Sequence, residues 1–358
     1  MKAILPFFVR YSPMEKLALI NFEKKPDEIY CGLELQYLNG GRYGAGYRVL
    51  AYRNDGHVDM YDDTALTFDP NEKCDVAGKG LLNHIQTSIE NVRFEKMEYK
   101  VGIDFEFTDV QGRRICVHIH EHTNRRSTPM KLLAPIGVGS EKPTYLPAFF
   151  LYDFDFVRKS RTKINVTIGG KKIKLDSFPF PAPMNGQFRY YTRYSMNSLI
   201  FEFLPTYIHA AEVELDDNLQ YISDNIRYQF KLNDSNIALS SINLIDKRKL
   251  RIEFIPEISL KNCEGKFVIM PDENMGKIAG NYSVNRVGDT AEIKIIPNEG
   301  WQGIPNSFIT KFLMSPDSVF CSWCKKYEYT CRINLRNLSS EAEWKNGNIT
   351  PSLSQAGQ

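Results

Sequence analysis

Three histidines, two carboxylates and a thiol lie close together between residues 99 and 122, where the chain reads YKVGIDFEFTDVQGRRICVHIHEH. Imidazole and carboxylate groups bind transition metals, and imidazole also exchanges protons near neutral pH. His118, His120 and His122 alternate with other residues. On a β-strand they would project in one direction, about 7 Å apart per step. We predict that this segment carries the functional site.

The same segment has the pattern of a β-hairpin. Apolar residues alternate with polar ones over 101–107 and again over 115–119, as in strands with one buried face. Asp109 favours the first position of a type I turn, and Gly112 tolerates the left-handed conformation that closes a three-residue loop. We therefore predict that Asp109 pairs with Arg113.

This register decides which polar residues are neighbours. Asp104 would lie opposite His118, Glu106 opposite Cys116, and His120 opposite a glycine, with Cβ atoms of facing residues roughly 5 Å apart. A slip by one residue would place the histidines among phenylalanines, so the apolar pattern itself favours this pairing. The outer face of the hairpin should therefore combine imidazoles with carboxylates.

Two kinds of chemistry fit that combination. His118, His120 and His122, helped by a carboxylate, could bind a divalent metal such as zinc, manganese or iron. Without a metal, His118, His120, Asp104 and Glu106 are the predicted catalytic acid–base residues, because a carboxylate orients an imidazole. A solvent-facing polar strand is the structural alternative, although such strands more often carry Lys, Thr and Glu.

A second candidate follows the Pro-rich stretch in the middle of the chain. Arg189, Tyr191 and Arg193 would share one face of a strand and could hold an anionic or aromatic ligand by charge and cation–π contacts. A sheet face with stacked long side chains explains the same pattern.

The cysteines Cys321, Cys324 and Cys331 have a spacing that resembles part of a zinc or redox site. However, apolar residues occupy odd positions from 319 to 335, which predicts one long strand. A strand would send Cys321 and Cys324 to opposite faces. We therefore predict no metal at these thiols.

Composition and missing motifs exclude several functions. The net charge of +2 among 358 residues gives no reason to expect a nucleic-acid partner. No dinucleotide fingerprint, phosphate-binding loop before a helix or Gly-x-Ser-x-Gly motif occurs, so we expect no nucleotide cofactor. No signal peptide or transmembrane segment is recognisable, and seven scattered cysteines favour free thiols. We expect a soluble cytoplasmic protein of unknown oligomeric state.

The strand and turn signals predict a mainly β fold with two antiparallel β-barrel or β-sandwich domains and a few short helices. The succession of long strands resembles the calycin, or lipocalin-like, architecture. Helices are expected at 80–92, with His84 half-exposed, and at 304–313. The predicted domains are 1–175 and 188–338, joined by a Pro-rich connector at 176–187 and followed by a disordered tail at 339–358.

These features lead to two hypotheses of function. Aromatic residues make up 12% of the chain, which favours a β protein that binds a small hydrophobic or aromatic molecule. The hairpin cluster would then add acid–base or metal-assisted chemistry, as in an isomerase, hydratase or cyclase. The alternative is a structural or protein-interaction module without an active site.

Overall fold

The computed structural model describes a mainly β protein with several sheets, which confirms the predicted fold class at that level. The barrel or sandwich form and the calycin-like architecture remain predictions. No helix in the described part of the chain is long and apolar enough to cross a membrane. The described residues are 1–24, 26–70, 80–136, 143–181, 186–233, 236–245, 249–272, 274–305, 310–311, 314–315 and 318–347.

In the part of the chain that the structure describes, short helical elements and loops connect the strands. A 3-10 turn spans Gly41–Tyr43, and a short helix, α1, spans Val319–Ser322. The strands are β1 (Lys2–Leu5), β2 (Val9–Ser12), β3 (Met14–Asn21), β4 (Tyr30–Asn39), β5 (Ala45–Arg53), β6 (Val58–Asp63), β7 (Leu81–Thr87), β8 (Glu90–Met97), β9 (Lys100–Thr108), β10 (Arg114–Glu121), β11 (Met130–Ala134), β12 (Leu146–Arg158), β13 (Thr162–Ile168), β14 (Lys171–Lys172), β15 (Arg189–Ser195), β16 (Ser198–Phe203), β17 (Ala211–Glu214), β18 (Gln220–Ser223), β19 (Ile226–Asn233), β20 (Asn236–Leu244), β21 (Arg251–Ile258), β22 (Cys263–Asp272), β23 (Gly276–Val287), β24 (Thr290–Gln302), β25 (Tyr327–Asn334) and β26 (Ser340–Asn346).

The chain divides into two compact units, and neither is one continuous segment. Unit 1 consists of Met1–Ser12, Leu132–Phe150 and Ile200–Gln358, and unit 2 of Pro13–Lys131 and Leu151–Leu199. This division differs from the two consecutive domains predicted at 1–175 and 188–338. Interleaving of this kind cannot be recognised from local turn signals, because it depends on pairings between distant strands.

The Pro-rich segment 176–187 lies within unit 2 and not at the division between the units. The ring of Phe178 is 5.1 Å from the ring of Phe156 and 4.0 Å from that of Tyr191. Phe178 therefore packs on residues of β12 and β15. Residues 182–185 lie outside the described part of the chain.

Unit 1 contains a nine-stranded antiparallel sheet in which β18 to β26 are arranged in sequence order. In the same unit β1 pairs with β17, and β2 pairs with β16. The predicted disordered tail is wrong over β26, whose residues pair with β25 from Ser340 to Asn346. Trp344 fixes this strand, because its side chain is buried and its indole N–H donates to the carbonyl of Leu204.

Unit 2 contains a five-stranded sheet with the order β14-β13-β10-β9-β8, and a second run of paired strands with the order β15-β3-β4-β5-β6-β7. Only β6 and β7 are parallel among these pairs. One core includes residues from both groups of strands, among them Leu33, Tyr61, Phe105 and Val117. Each fully buried side chain of this size stabilises the fold by about 1.5–3 kcal/mol.

The helix predicted at 80–92 is wrong, because this segment forms β7 and the beginning of β8. The turn between the two strands includes Ile89, and Asn91 has a positive φ of 52° beside a register shift in β8. The apolar spacing therefore came from two strands and an irregular turn. The helix predicted at 304–313 falls mostly outside the described residues.

Candidate functional site

The hairpin formed by β9 and β10 has the register that the sequence predicts. Asp104 lies opposite His118, Glu106 opposite Cys116, and Gly102 opposite His120. The local sequence explains this outcome. It combines a strongly specified turn with two strands whose apolar faces must be buried together.

The turn closes as its residues suggest. The backbone N–H of Asp109 donates to the carbonyl of Arg113 over 3.0 Å, and Gly112 has a φ of 76°. The carboxylate of Asp109 accepts the backbone N–H groups of Gln111 and Arg113 over 3.0 and 2.8 Å. It also accepts the guanidinium Nε–H of Arg113 over 2.8 Å. This side chain thus holds both ends of the loop.

Asp104 joins two imidazoles on the outer face of the sheet, opposite the core. Its Oδ1 lies 2.9 Å from Nδ1 of His118, and both carboxylate oxygens lie 2.7 Å from Nε2 of His120. The side chain of Asp104 is 11% exposed, whereas those of His118 and His120 are 37% and 36% exposed. We call these three residues the Asp104 cluster. One nitrogen of each ring, Nε2 of His118 and Nδ1 of His120, has no hydrogen bond among the described residues.

Glu106 belongs to a different set of contacts. Its carboxylate accepts hydrogen bonds from Nδ2 of Asn91 over 2.9 Å and from Nη2 of Arg114 over 2.8 Å. The thiol of Cys116 lies 3.6 Å away. The Asn91 and Arg114 hydrogen bonds hold the pKa of Glu106 below its usual range, so the group is an ionised anchor near neutral pH. Its Oε1 is 3.8 Å from Nε2 of His118, too far for a hydrogen bond.

The predicted metal ligands do not form a site of this kind. His122 follows the end of β10, and its ring centroid is 6.4 Å from that of His120. Throughout the described ranges, no group of three or more His, Cys, Asp or Glu side chains is arranged to hold a metal ion. His118 and His120 instead direct one nitrogen each to Asp104.

The residues Arg189, Tyr191 and Arg193 have different surroundings and do not form one ligand-binding group. Arg189 is fully buried, and its guanidinium donates to the carbonyl of Phe156 over 2.6 Å and to Oγ of Ser127 over 3.0 Å. Burial also lowers the pKa of Arg193. Tyr191 packs against an aromatic residue of the Pro-rich segment. A register shift between β12 and β15 breaks the simple alternation that the prediction assumed.

The long strand predicted from 319 to 335 is wrong in its first part. Cys321 lies in α1, whose N-cap Ser318 accepts the backbone N–H of Cys321 with its side chain. Cys324 follows this helix, and Cys331 lies in β25. All three thiols are free and buried. Burial raises the pKa of Cys324 to about 12 and that of Cys331 to about 11.

Sequence reasoning missed a buried ionic cluster in unit 2. Oδ1 of Asp62 accepts Nε–H of Arg48 over 2.5 Å, and its Oδ2 lies 2.9 Å from Nε2 of His84. The side chains of Asp62, Arg48 and His84 are 0%, 7% and 5% exposed. We call them the Asp62 cluster. The side chain of His84 is therefore buried, and it lies on β7 and not on the predicted helix.

A second buried pair joins Glu121 to Arg158. The carboxylate of Glu121 accepts the Arg158 guanidinium and also the backbone N–H groups of Val101 and Arg158, over 3.2 and 2.7 Å. These partners are 20 and 37 residues away from Glu121 in the chain. The only sequence signal was Glu121 at an apolar-facing position of a strand, where a charge requires a partner.

Comparison with known proteins gives no family assignment, because no family model, curated protein or solved structure matches this chain.

Proposed function

We propose that the outer face of the β9–β10 hairpin binds a small molecule and that the Asp104 cluster transfers protons within it. The observation that carries this proposal is the sharing of one carboxylate by two half-exposed imidazoles. Each imidazole keeps one ring nitrogen for a ligand. Of the three reaction types predicted from the sequence, isomerisation, hydration and cyclisation, we propose an isomerisation.

The carboxylate supplies orientation. A hydrogen bond to one nitrogen of an imidazole fixes both the ring and its tautomer, so the other nitrogen has a defined role. In the Asp104 cluster this applies to His118 and His120 together. A neutral His118 would accept a proton through Nε2, while a protonated His120 would donate one through Nδ1, and the roles reverse for the return reaction. The proton count of the enzyme is restored when a proton passes back between the rings or exchanges with water.

The strands also limit the ligand. His118 and His120 are two residues apart on β10, so their side chains are separated by about 7 Å. Neighbouring positions on the adjacent strand are Asn165 and Lys163, and both are exposed. The surface around the imidazoles is therefore polar, and it is not the aromatic-lined cavity that the composition suggested. A polar molecule with an enolisable carbonyl group fits this surface better than a purely hydrophobic one.

The test uses proton exchange. A panel of small enolisable ketones and keto acids is incubated with the protein in deuterium oxide, and incorporation of deuterium is followed by NMR. General acid–base catalysis typically contributes about 10²–10⁴-fold. We expect at least one compound to exchange faster with the wild type, and this acceleration to disappear in the double variant His118→Ala, His120→Ala. His122→Ala is the matched control, since His122 has no hydrogen bond to Asp104.

Asp104→Asn gives a finer test of orientation, because the amide keeps its size but loses its charge. It should slow exchange while circular dichroism of the variant remains that of the wild type. If no compound exchanges faster with the wild type than with the double variant, the acid–base proposal is wrong. Adding zinc or a chelator should leave the thermal unfolding midpoint unchanged, and a large shift would favour the metal hypothesis instead.

The second candidate is a structural or interaction module without an active site. The open position of His118 and His120 on the sheet, each more than a third exposed, favours it. In that case Asp104→Asn would lower stability but would not change ligand binding or exchange. The same set of variants therefore distinguishes the two candidates.

A further inference from the structure

A cleft in unit 1 is independent of the Asp104 cluster. It has a volume of about 260 Å³ and lies between the first strand, β20, the turn after β21, and β23. We call it the Lys261 cleft. Its volume is slightly below the usual range for ligand sites, about 300–1,000 Å³, so it suits a small ligand.

The floor of the Lys261 cleft is aliphatic. Leu239 and Ile258 line it and are only 1% and 2% exposed, whereas Ile237 and Leu260 are half-buried. None of the lining residues that the structure describes is aromatic. A flexible hydrocarbon chain can fill such a surface, because dispersion contacts and removal of water do not depend on direction.

The described ionised groups that line the cleft are cations. Among the described lining residues, Lys2, Lys261 and Arg286 are charged, and none is an aspartate or glutamate. Lys2 is neutralised by Glu212, whose Oε1 lies 2.5 Å from Nζ. Within the described ranges no carboxylate forms an ion pair with Lys261 or Arg286. Two positive charges therefore remain beside an apolar floor.

Two hydrogen bonds hold Arg286 at the edge of the cleft. Its backbone N–H donates to Oδ1 of Asn262 over 2.6 Å, and its Nε–H donates to the carbonyl of Gly288 over 3.1 Å. The terminal nitrogens of the guanidinium are not used in these hydrogen bonds. Guanidinium groups bind carboxylates with favourable geometry.

We propose that the Lys261 cleft binds a small aliphatic carboxylate. Its hydrocarbon chain lies along Leu239 and Ile258, and its carboxylate is held by Lys261 and Arg286. A neutral alkane or alcohol would gain no charge interaction with the two exposed cations, and an aromatic acid would not fill the aliphatic floor equally well. Charge complementarity thus selects the ligand class.

The first experiment measures the binding of butanoate, hexanoate and octanoate by isothermal titration calorimetry, with 1-octanol as the neutral probe. Burial of one methylene contributes about 0.8 kcal/mol, which corresponds to an affinity gain of about fourfold per methylene. We expect this gain until the cleft is full, weaker binding of 1-octanol, and weaker binding of octanoate at high salt. Equal affinity for octanoate and 1-octanol, or no saturable binding, would overturn the proposal.

The second experiment tests whether octanoate binds in the Lys261 cleft. The double variant Lys261→Gln, Arg286→Gln should lower octanoate affinity by about tenfold, while Lys277→Gln, an exposed lysine of β23 outside the cleft, should not. Leu260→Trp fills the cleft without changing its charge and should abolish binding. Unchanged affinity in Leu260→Trp would show that octanoate binds elsewhere. His118→Ala should leave octanoate binding unaltered, so this proposal can fail or succeed separately from the acid–base proposal.

Discussion

Removal of the Asp62 carboxylate should strongly destabilise unit 2. Asp62 is completely buried, and both of its oxygens accept hydrogen bonds from Arg48, over 2.5 and 2.9 Å. The substitution Asp62→Ala removes the carboxylate to which the Arg48 guanidinium, 7% exposed, donates two hydrogen bonds. It also removes the partner of Nε2 of His84.

The expected magnitude follows from the burial of both partners. Breaking a buried pair by removing one ion typically costs about 3–5 kcal/mol, a large part of the roughly 5–15 kcal/mol that stabilise a folded protein. Replacing Arg48 by methionine in the Asp62→Ala background removes the buried charge and should recover part of the loss. The matched control is Glu95→Ala, because Glu95 pairs with Arg93 on the surface at 45% and 47% exposure and should cost less than about 1 kcal/mol.

The assay has to report on unit 2. All three tryptophans, Trp301, Trp323 and Trp344, lie in unit 1, so their fluorescence does not follow Asp62 directly. Urea unfolding followed by far-ultraviolet circular dichroism, together with hydrogen exchange of peptides from β5 and β6, measures the correct region. A loss below about 1 kcal/mol for Asp62→Ala would refute the reasoning, because it would mean that water reaches the pair.

The pH dependence of the same cluster has a defined sign. Burial alone raises the pKa of Asp62, but the hydrogen bonds from His84 and Arg48 outweigh this effect and hold the pKa below its usual value. The cluster therefore stabilises the fold above the unfolded pKa of aspartate, about 3.9. This contribution is lost as the pH falls through the lower folded pKa. Asp62→Ala should lose less stability than the wild type over that acid range.

Three further predictions concern the hairpin and the thiols. Asn91→Ala should raise the pKa of Glu106 towards its usual value, because it removes the Asn91 hydrogen bond, the largest cause of the lowered pKa. An NMR titration of the carboxyl group measures this pKa, and an unchanged value would mean that Arg114 alone lowers it. Gly112→Ala should lower the free energy of unfolding by about 1 kcal/mol, because the φ of 76° lies in the left-handed region that disfavours alanine. The added Cβ would meet no atom within 4 Å, so no steric clash contributes. An unchanged urea midpoint would contradict this prediction. Iodoacetamide should modify half-exposed Cys116 before buried Cys324, because burial raises the pKa of the Cys324 thiol to about 12. Mass spectrometry of the native protein measures the order of modification, and earlier modification of Cys324 would contradict the prediction.

The hairpin could be predicted residue by residue because its determinants are local. Asp109 and Gly112 specify the turn, and the alternation on both sides leaves only one register that buries the apolar face. The contact of His120 with Asp104 was not predicted, since the two residues are not directly opposite. It depends on side-chain rotation across the strand pair.

Other parts of the fold depended on information that the sequence pattern does not contain. The 80–92 segment has helical spacing, but β7 is fixed by its parallel pairing with β6, a contact between distant residues. The partners of Asp62 and Glu121 are likewise far away in the chain, 14 and 37 residues. Ser318 was a readable N-cap signal for α1, and the alternation of apolar residues beyond it obscured this signal.

The pairing of β1 with β17 has a consequence for biosynthesis. Lys2 and Glu212, which form an ion pair at this strand pair, are separated by 210 residues. At about 5–20 residues per second, the ribosome needs roughly 10–40 seconds after making β1 before it has made β17. Among the described strands β1 pairs with β17, so during that time its backbone groups lack this native partner. The exposed charge of Lys2 discourages pairing with another chain. A ribosome-bound chain arrested before residue 211 should therefore expose β1 to proteolysis, whereas an arrested chain that includes β17 should protect it.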